Sequence, residues 1–245
     1  MCAKIFKSTR FTYSDETVER FSKLKPKASD FRIFWDNAYA IHDLTKTPDK
    51  LSNLMELCKK NHSENLPIMF CSTSKITFPG SGVAAVGASS DNINYLKKMY
   101  SFKTIGYDKI NQLRHVRYFK NFENLKSHME KHRAILKPKF DIVLDSLENN
   151  FVHNKIVSWK KPNGGYFVSI DVANGCAKKT VELCKNLGLI LTPAGSTFPK
   201  KFDPNDSNIR IAPSYPSLDE LRKAMDVLCL CIKLAFCEKN LSEND

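Results

Sequence analysis

Cys71-Ser72-Thr73-Ser74-Lys75-Ile76-Thr77 places a lysine between an apolar run, Leu66 to Phe70, and the turn Phe78-Pro79-Gly80-Ser81-Gly82. The run reads as a buried strand, so Lys75 falls at a strand's end, facing a crevice. A lysine there can lose its proton through partial desolvation and cationic neighbours, giving an amine able to condense with an aldehyde. The hydroxyls of Ser72, Thr73 and Ser74, with the N–H groups of the glycine turn, can hold a phosphate. An aldehyde joined to a phosphate is pyridoxal 5'-phosphate. The same residues also suit an ordinary surface lysine after a strand, and Ser-x-x-Lys by itself does not separate the two.

Pyridoxal chemistry asks a protein for a lysine, an anion against the pyridine nitrogen, a donor to the ring's phenolate oxygen, and a phosphate cradle. The anion keeps the ring protonated, so that it can absorb the electron pair released when a bond to a substrate α-carbon breaks. Asp36 ends the β-prone run Phe31-Arg32-Ile33-Phe34-Trp35, and Tyr39 follows three residues on. The carboxylate suits the pyridinium and the phenol suits the ring oxygen. Taken singly, an aspartate placed like Asp36 is more often a turn or cap residue, and a tyrosine placed like Tyr39 more often packs. His42, one turn past Tyr39, either lines the same site or packs beneath it. His128 and His132 stand at i, i+4, but the spacing differs from H-E-x-x-H, so a solvated helix face is expected there and no metal.

These groups need strands to carry them. Ser14-Asp15-Glu16 opens a helix that runs to about Leu24, with Ser14 as N-cap. Thr47-Pro48 is expected to open a second helix, with Leu51, Leu54, Met55 and Cys58 on one face. Strands are expected at Phe31–Trp35, Leu66–Phe70 and Val83–Ala88. This alternation suits an α/β sheet whose crevice lies at the carboxyl ends of its strands. Helices follow over Asp91–Tyr100 and Tyr107–Tyr118. A long amphipathic stretch then carries Phe122, Leu125, Met129, Leu136, Phe140, Val143, Leu144 and Leu147, and Pro138 is expected to kink or split it. Beyond it come a strand at Tyr166–Val172, a helix from Ala177 to Leu187 ending at Gly188, and short strands near Leu189–Thr192 and Ile209–Ala212. A last helix opens with the capping box Ser217-Leu218-Asp219-Glu220 and runs to about Cys237. The expected organisation is a partial large cofactor-binding domain over 1–120 and a smaller α+β C-terminal domain over 121–245.

A hydrophobic content of 42% over 245 residues suits a globular core. No run reaches the length of a membrane span and no signal peptide is recognisable, so a cytoplasmic chain without a membrane partner is expected. The 8 cysteines form no C-x-x-C pair, which suits reduced thiols. The net charge of +12 is spread along the chain without arginine clusters, so it points to anionic small molecules and to no nucleic acid.

Asp36-Asn37-Ala38-Tyr39, Ser72-Thr73-Ser74-Lys75, Gly164-Gly165-Tyr166-Phe167 and Asn208-Ile209-Arg210-Ile211 stand in an order and at separations similar to those of the class I aminotransferases of fold type I. The resemblance covers nearly everything from Tyr13 onward and is closest to a bacterial branch resembling aspartate aminotransferases. It implies an α/β fold: the C-terminal part of the large domain, with a mixed, mostly parallel sheet, plus the small domain. It implies that Lys75 holds the cofactor and moves the substrate proton, that Asp36 meets the pyridinium, and that Tyr39 meets the phenolate oxygen. Ser72, with Ser74, would bond the phosphate, and Arg210 would clamp the substrate carboxylate with a planar fork.

Two departures are visible. Many relatives carry a phosphate-clamping arginine eight residues after the lysine, where this chain has Val83; the Gly80-Ser81-Gly82 turn, through its N–H groups and the Ser81 hydroxyl, is the expected substitute. Relatives also have an N-P-T-G turn where Lys7-Ser8-Thr9-Arg10 stand here, and a further N-terminal region before it. The activity expected from the resemblance is amino-group transfer between an L-amino acid, with aspartate as best donor, and a 2-oxo acid. The assembly would be a homodimer, or a pairing with a chain that supplies the N-terminal part. The alternatives are an inactive remnant, a partner subunit of a split aminotransferase, or a fold type I lyase or decarboxylase.

Overall fold

The computed structural model describes residues 12–154 and 156–242. The Lys7–Arg10 segment lies outside them. The chain divides into two compact units, residues 12–42 with Thr47–Glu130, and Asp43–Lys46 with residues 131–242.

The first unit is built on a three-stranded sheet in the order β1 (Ile33–Asp36), β2 (Pro67–Ser72), β3 (Ala84–Ala88). β1 and β2 run parallel, with Asp36 opposite Phe70, and β3 returns antiparallel, with Ala84 opposite Ser72. Helix α1 (Asp15–Ser22) precedes β1, and α2 (Leu54–Lys60) crosses over from β1 to β2. Ser14 caps α1 by accepting from the Thr17 N–H at 3.2 Å, as its position predicts. The second helix begins later than Thr47. Asn53 caps it, its Oδ1 accepting from Met55 N at 3.0 Å, while Asp49 and Ser52 bond instead to Thr12 and Asp15. Those side-chain bonds take residues that helix propensity alone would have wound up. Val18, Ile33, Trp35, Leu54, Cys58 and Leu66 form the core on one face of the sheet, and Tyr13 stacks on Trp35 at 5.6 Å. Phe34 and Asp36 lie on the opposite face, since strand side chains alternate. Helices α3 (Ser90–Ser101) and α4 (Lys109–Phe119) complete the unit's own elements.

Helix α5 (Phe122–Phe151) contains Pro138 yet is not split there. Pro138 has no N–H to give, but Leu136 and Phe140 on either side of it are buried in the second unit's core, and that packing outweighs one lost hydrogen bond. Phe122, expected on the buried face, is exposed, with Lys126 Nζ over its ring at 4.8 Å.

The second unit has an antiparallel sheet in the order β4 (Val157–Trp159), β5 (Val168–Val172), β6 (Asn208–Ile211), packed with α6 (Ala177–Asn186) and α7 (Leu218–Ser242). β4 carries too short a run to announce itself. No strand forms over residues 189–192. There Gly188, at φ +83°, closes α6: its N–H donates to Lys185 O, and Leu189 N donates to Cys184 O at 2.8 Å. The Leu189 N–H is thereby spent on the helix end, and Leu189 and Leu191 pack against the core instead. The capping box at α7 forms as expected, Glu220 N donating to Ser217 Oγ and Ser217 N to Glu220 Oε2. Burial pushes the Cys184 thiol up to about 12, with Cys231 beside it, and Cys229 up to about 11, as reduced core thiols require.

Candidate cofactor site

Lys75 follows β2 in a tight turn in which Ile76 N and Thr77 N both donate to Thr73 O at 2.8 Å. Its Nζ lies 5.1 Å from the centre of the Tyr39 ring. Tyr39 itself is 3% exposed, and comes from the turn after β1. Asp36 closes β1 on the face away from Trp35, and its Oδ1 accepts from Ala38 N at 3.1 Å. The parallel pairing of β1 with β2, extended by Asn37 N donating to Phe70 O at 2.7 Å, sets these ends side by side. Asp36, Tyr39 and Lys75 therefore converge at the carboxyl ends of two parallel strands. Asn37 Oδ1 is buried beside them without a hydrogen-bond partner among the described residues.

The turn is held at several points. His42, 4% exposed, has Nε2 3.1 Å from Lys75 O and so donates to it. His128 donates through Nε2 to Ile76 O at 2.8 Å, and Tyr118 lies 3.3 Å from its Nδ1. This corrects the expectation of a merely solvated face at that histidine. No group of three or more His, Cys, Asp or Glu among the described residues is placed to hold a metal ion.

Ser72 ends β2, and Ser74 lies against the glycine turn: a Cβ on Gly82 would meet Ser74 N, Ser74 Oγ and Thr73 Oγ1, each at 3.2 Å. Ser81 N donates to Phe78 O at 3.2 Å, and Ser81 O accepts from Asn111 Nδ2 at 2.7 Å. Val83 is held by its backbone, accepting from Thr73 N at 2.8 Å and donating to Thr73 Oγ1 at 2.9 Å.

In the second unit, Arg210 sits on β6 opposite Ser169, its guanidinium over the Phe167 ring at 4.5 Å. Its Nε is buried with no hydrogen-bond partner among the described residues. Asn208 anchors the strand start, donating to Ser169 Oγ at 2.9 Å and Asp171 Oδ1 at 2.7 Å, and accepting from Thr197 Oγ1 at 3.0 Å. Asp203 accepts from Ser207 N at 2.9 Å and Asn208 N at 2.8 Å. Burial pushes its carboxyl up, but the N–H donors of Asn208, Ser207 and Asn205, with the Lys178 charge, outweigh it and hold the group below the usual carboxylate range. Sequence reasoning missed Asn111 and His115, whose partners are backbone or hydroxyl groups remote in sequence, and Asp203, whose partners are the backbone N–H groups of the turn that follows it.

A family model described as aspartate amino-transferase matches residues 2–244. The chain belongs to this family. Among curated relatives, the aspartate aminotransferase of Corynebacterium glutamicum is 40% identical over 230 residues, covering 94% of this chain and 53% of the relative. The crystal structure of an aspartate transaminase from Corynebacterium glutamicum superposes with a TM-score of 0.94 at 39% identity, over 98% of this chain and 57% of that one. The LysN α-aminoadipate aminotransferase of Thermus thermophilus, solved with N-(5'-phosphopyridoxyl)-L-leucine, shares the fold at a TM-score of 0.78 and 18% identity, over 96% of this chain and 58% of that one. The chain thus spans a little over half the length of the curated relatives it matches. No helix among the described residues is long and apolar enough to cross a membrane.

Proposed function

We propose that this chain carries the lysine-bearing part of a pyridoxal-phosphate aminotransferase site. The observation that carries the reading is the convergence of Asp36, Tyr39 and Lys75 at the ends of the parallel strands β1 and β2. The donor set fits the cofactor: an amine for the aldehyde, a carboxylate for the ring nitrogen, a phenol for the ring oxygen, and hydroxyls from Ser72, Ser74 and Ser81 for the phosphate. When bound, the cofactor supplies the carbonyl that takes the amino group and the ring that accepts electrons from the substrate α-carbon.

In this reading Lys75 would hold the cofactor through its Nζ, and the same amine would carry the proton removed from the substrate α-carbon. The Asp36 carboxylate would face the ring nitrogen, and Tyr39 would orient the ring through its hydroxyl. Arg210 binds the substrate α-carboxylate, a use supported by its buried, unbonded Nε and by Phe167 holding the plane of the fork. Aspartate is the proposed amino donor, because the relatives at about 40% identity named for a substrate are aspartate aminotransferases. A 2-oxo acid is the acceptor. Assembly as a homodimer, or with a chain supplying the N-terminal part of the fold, belongs to the same proposal.

The test is an absorbance spectrum with added pyridoxal phosphate, before and after borohydride reduction. The expected result is a reducible visible band in the wild type, a mass label at Lys75, and loss of both in Lys75→Ala. A wild-type chain without any band at saturating cofactor would sink the reading, and would favour an inactive remnant or a partner subunit. A band with decarboxylation or elimination in place of transamination would assign a lyase.

A further inference from the structure

Helix α4 faces the lysine turn with two side chains one helical turn apart, Asn111 and His115. His115 Nδ1 lies 2.8 Å from Asn111 O, a carbonyl of its own helix, and must donate to it. In the neutral ring this sets the tautomer and leaves Nε2 as the acceptor. Nε2 lies 2.9 Å from Thr77 Oγ1 and 3.1 Å from Thr73 Oγ1, within hydrogen-bond reach of the hydroxyls at both ends of the turn that contains Lys75, while Thr77 Oγ1 also lies 3.3 Å from Thr73 Oγ1. Thr73 Oγ1 also accepts from Val83 N at 2.9 Å, which ties the same hydroxyl to the far side of the glycine loop. Asn111, 9% exposed, closes the circuit by donating to Ser81 O at 2.7 Å and Gly82 O at 3.2 Å.

We propose that His115 is a positioning residue for the cofactor lysine. Through Thr73 and Thr77 it sets the turn from which Lys75 projects, while Asn111 sets the loop packed on Ser74. The position eight residues past the lysine is Val83, whose side chain has no donor. The loop is instead tied to the turn through the Thr73 hydroxyl, and His115 orients that hydroxyl. The inference rests on the proposed role of Lys75, and its test has one arm that needs no cofactor.

That arm is amide exchange of the full chain, read by NMR at Thr73, Thr77 and Val83. His115→Ala is expected to speed exchange about tenfold at these amides, the effect of losing about one net hydrogen bond, while amides of β5 and α7 stay unchanged. His115→Gln, whose side-chain oxygen reaches the former Nε2 position, is expected to restore most of the protection. His115→Asn, a shorter side chain, is not. Thr77→Val, which keeps the shape and removes the hydroxyl, gives the same increase, and combining it with His115→Ala adds little further. The second arm measures the pyridoxal phosphate concentration for half-maximal labelling of Lys75, expected to rise about tenfold in His115→Ala and to return toward wild type in His115→Gln. Wild-type exchange in His115→Ala, or equal failure of Gln and Asn, overturns the proposal. So does faster exchange with unchanged labelling. A wild-type chain that never labels sinks the role of Lys75 and the positioning role with it, and the exchange arm then shows only whether the brace exists.

Discussion

At the residue scale, the informative groups are polar side chains whose partners are backbone atoms. Asp203 is 5% exposed and is held ionised by backbone N–H groups. Its folded pKa lies below the unfolded value of about 3.9, so its stabilisation is fully present above that value. The contribution is lost as pH falls through about 4 toward the depressed folded value. Asp203→Asn is therefore expected to cost about 2 kcal/mol at pH 7. The gap between wild type and variant should narrow below pH 4, as read by urea unfolding at several pH values. A gap independent of pH would mean that shape, not charge, holds the loop. This residue also shows where sequence reading ends. Lys75, Asp36 and Arg210 could be singled out as candidates because they stand in short motifs. Asp203, Asn111 and His115 could not, because an Asp-x-Asn or Asn-x-x-x-His spacing says nothing until the fold brings its backbone partners within 3 Å.

At the element scale, strand and helix positions followed from apolar period and caps. The failures occurred where a side chain or a turn took the hydrogen bonds. Asn53 displaced the expected helix start at Thr47, and the Gly188 helix end consumed the amide that a strand at Leu189 would have needed. Pro138 misled for the opposite reason, since packing of its neighbours preserved the helix. Gly195 offers a direct test of backbone constraint. It adopts φ +80°, and a Cβ there would lie 2.7 Å from Lys201 O, in the turn leading to Asp203. Gly188, at φ +83°, has open space around the same position. Gly188→Ala is expected to cost about 1 kcal/mol, the left-handed penalty alone. Gly195→Ala adds a clash with backbone and is expected to cost about 2 kcal/mol or more. Equal losses in the two variants, measured by chemical denaturation, would show that the Lys201 loop yields freely.

At the scale of the whole molecule, the two units bury very different cores. The second unit encloses a continuous core from Leu136 on α5 through the sheet to Ala235 on α7. The first covers one sheet face around Trp35, while Phe102, Ile105, Ile110 and Val116 on and between α3 and α4 are largely exposed. Buried apolar area is the main source of stability, so the first unit is expected to unfold at lower denaturant. The sequence provides a clean reporter for each, because its 2 tryptophans are Trp35, buried in the first core, and Trp159, packed against the second. In urea, wild-type fluorescence should show two transitions, each shallower than one cooperative 245-residue unfolding would give. Trp159→Phe should retain the earlier transition only, and Trp35→Phe the later one. A ligand that binds the lysine turn stabilises only the unit that holds it, by mass action. Pyridoxal phosphate should therefore move the Trp35 transition to higher urea and leave the Trp159 transition in place. Coincident midpoints for both tryptophans, with and without the cofactor, would show instead that the units unfold as one body and that the lysine turn draws its stability from the whole chain.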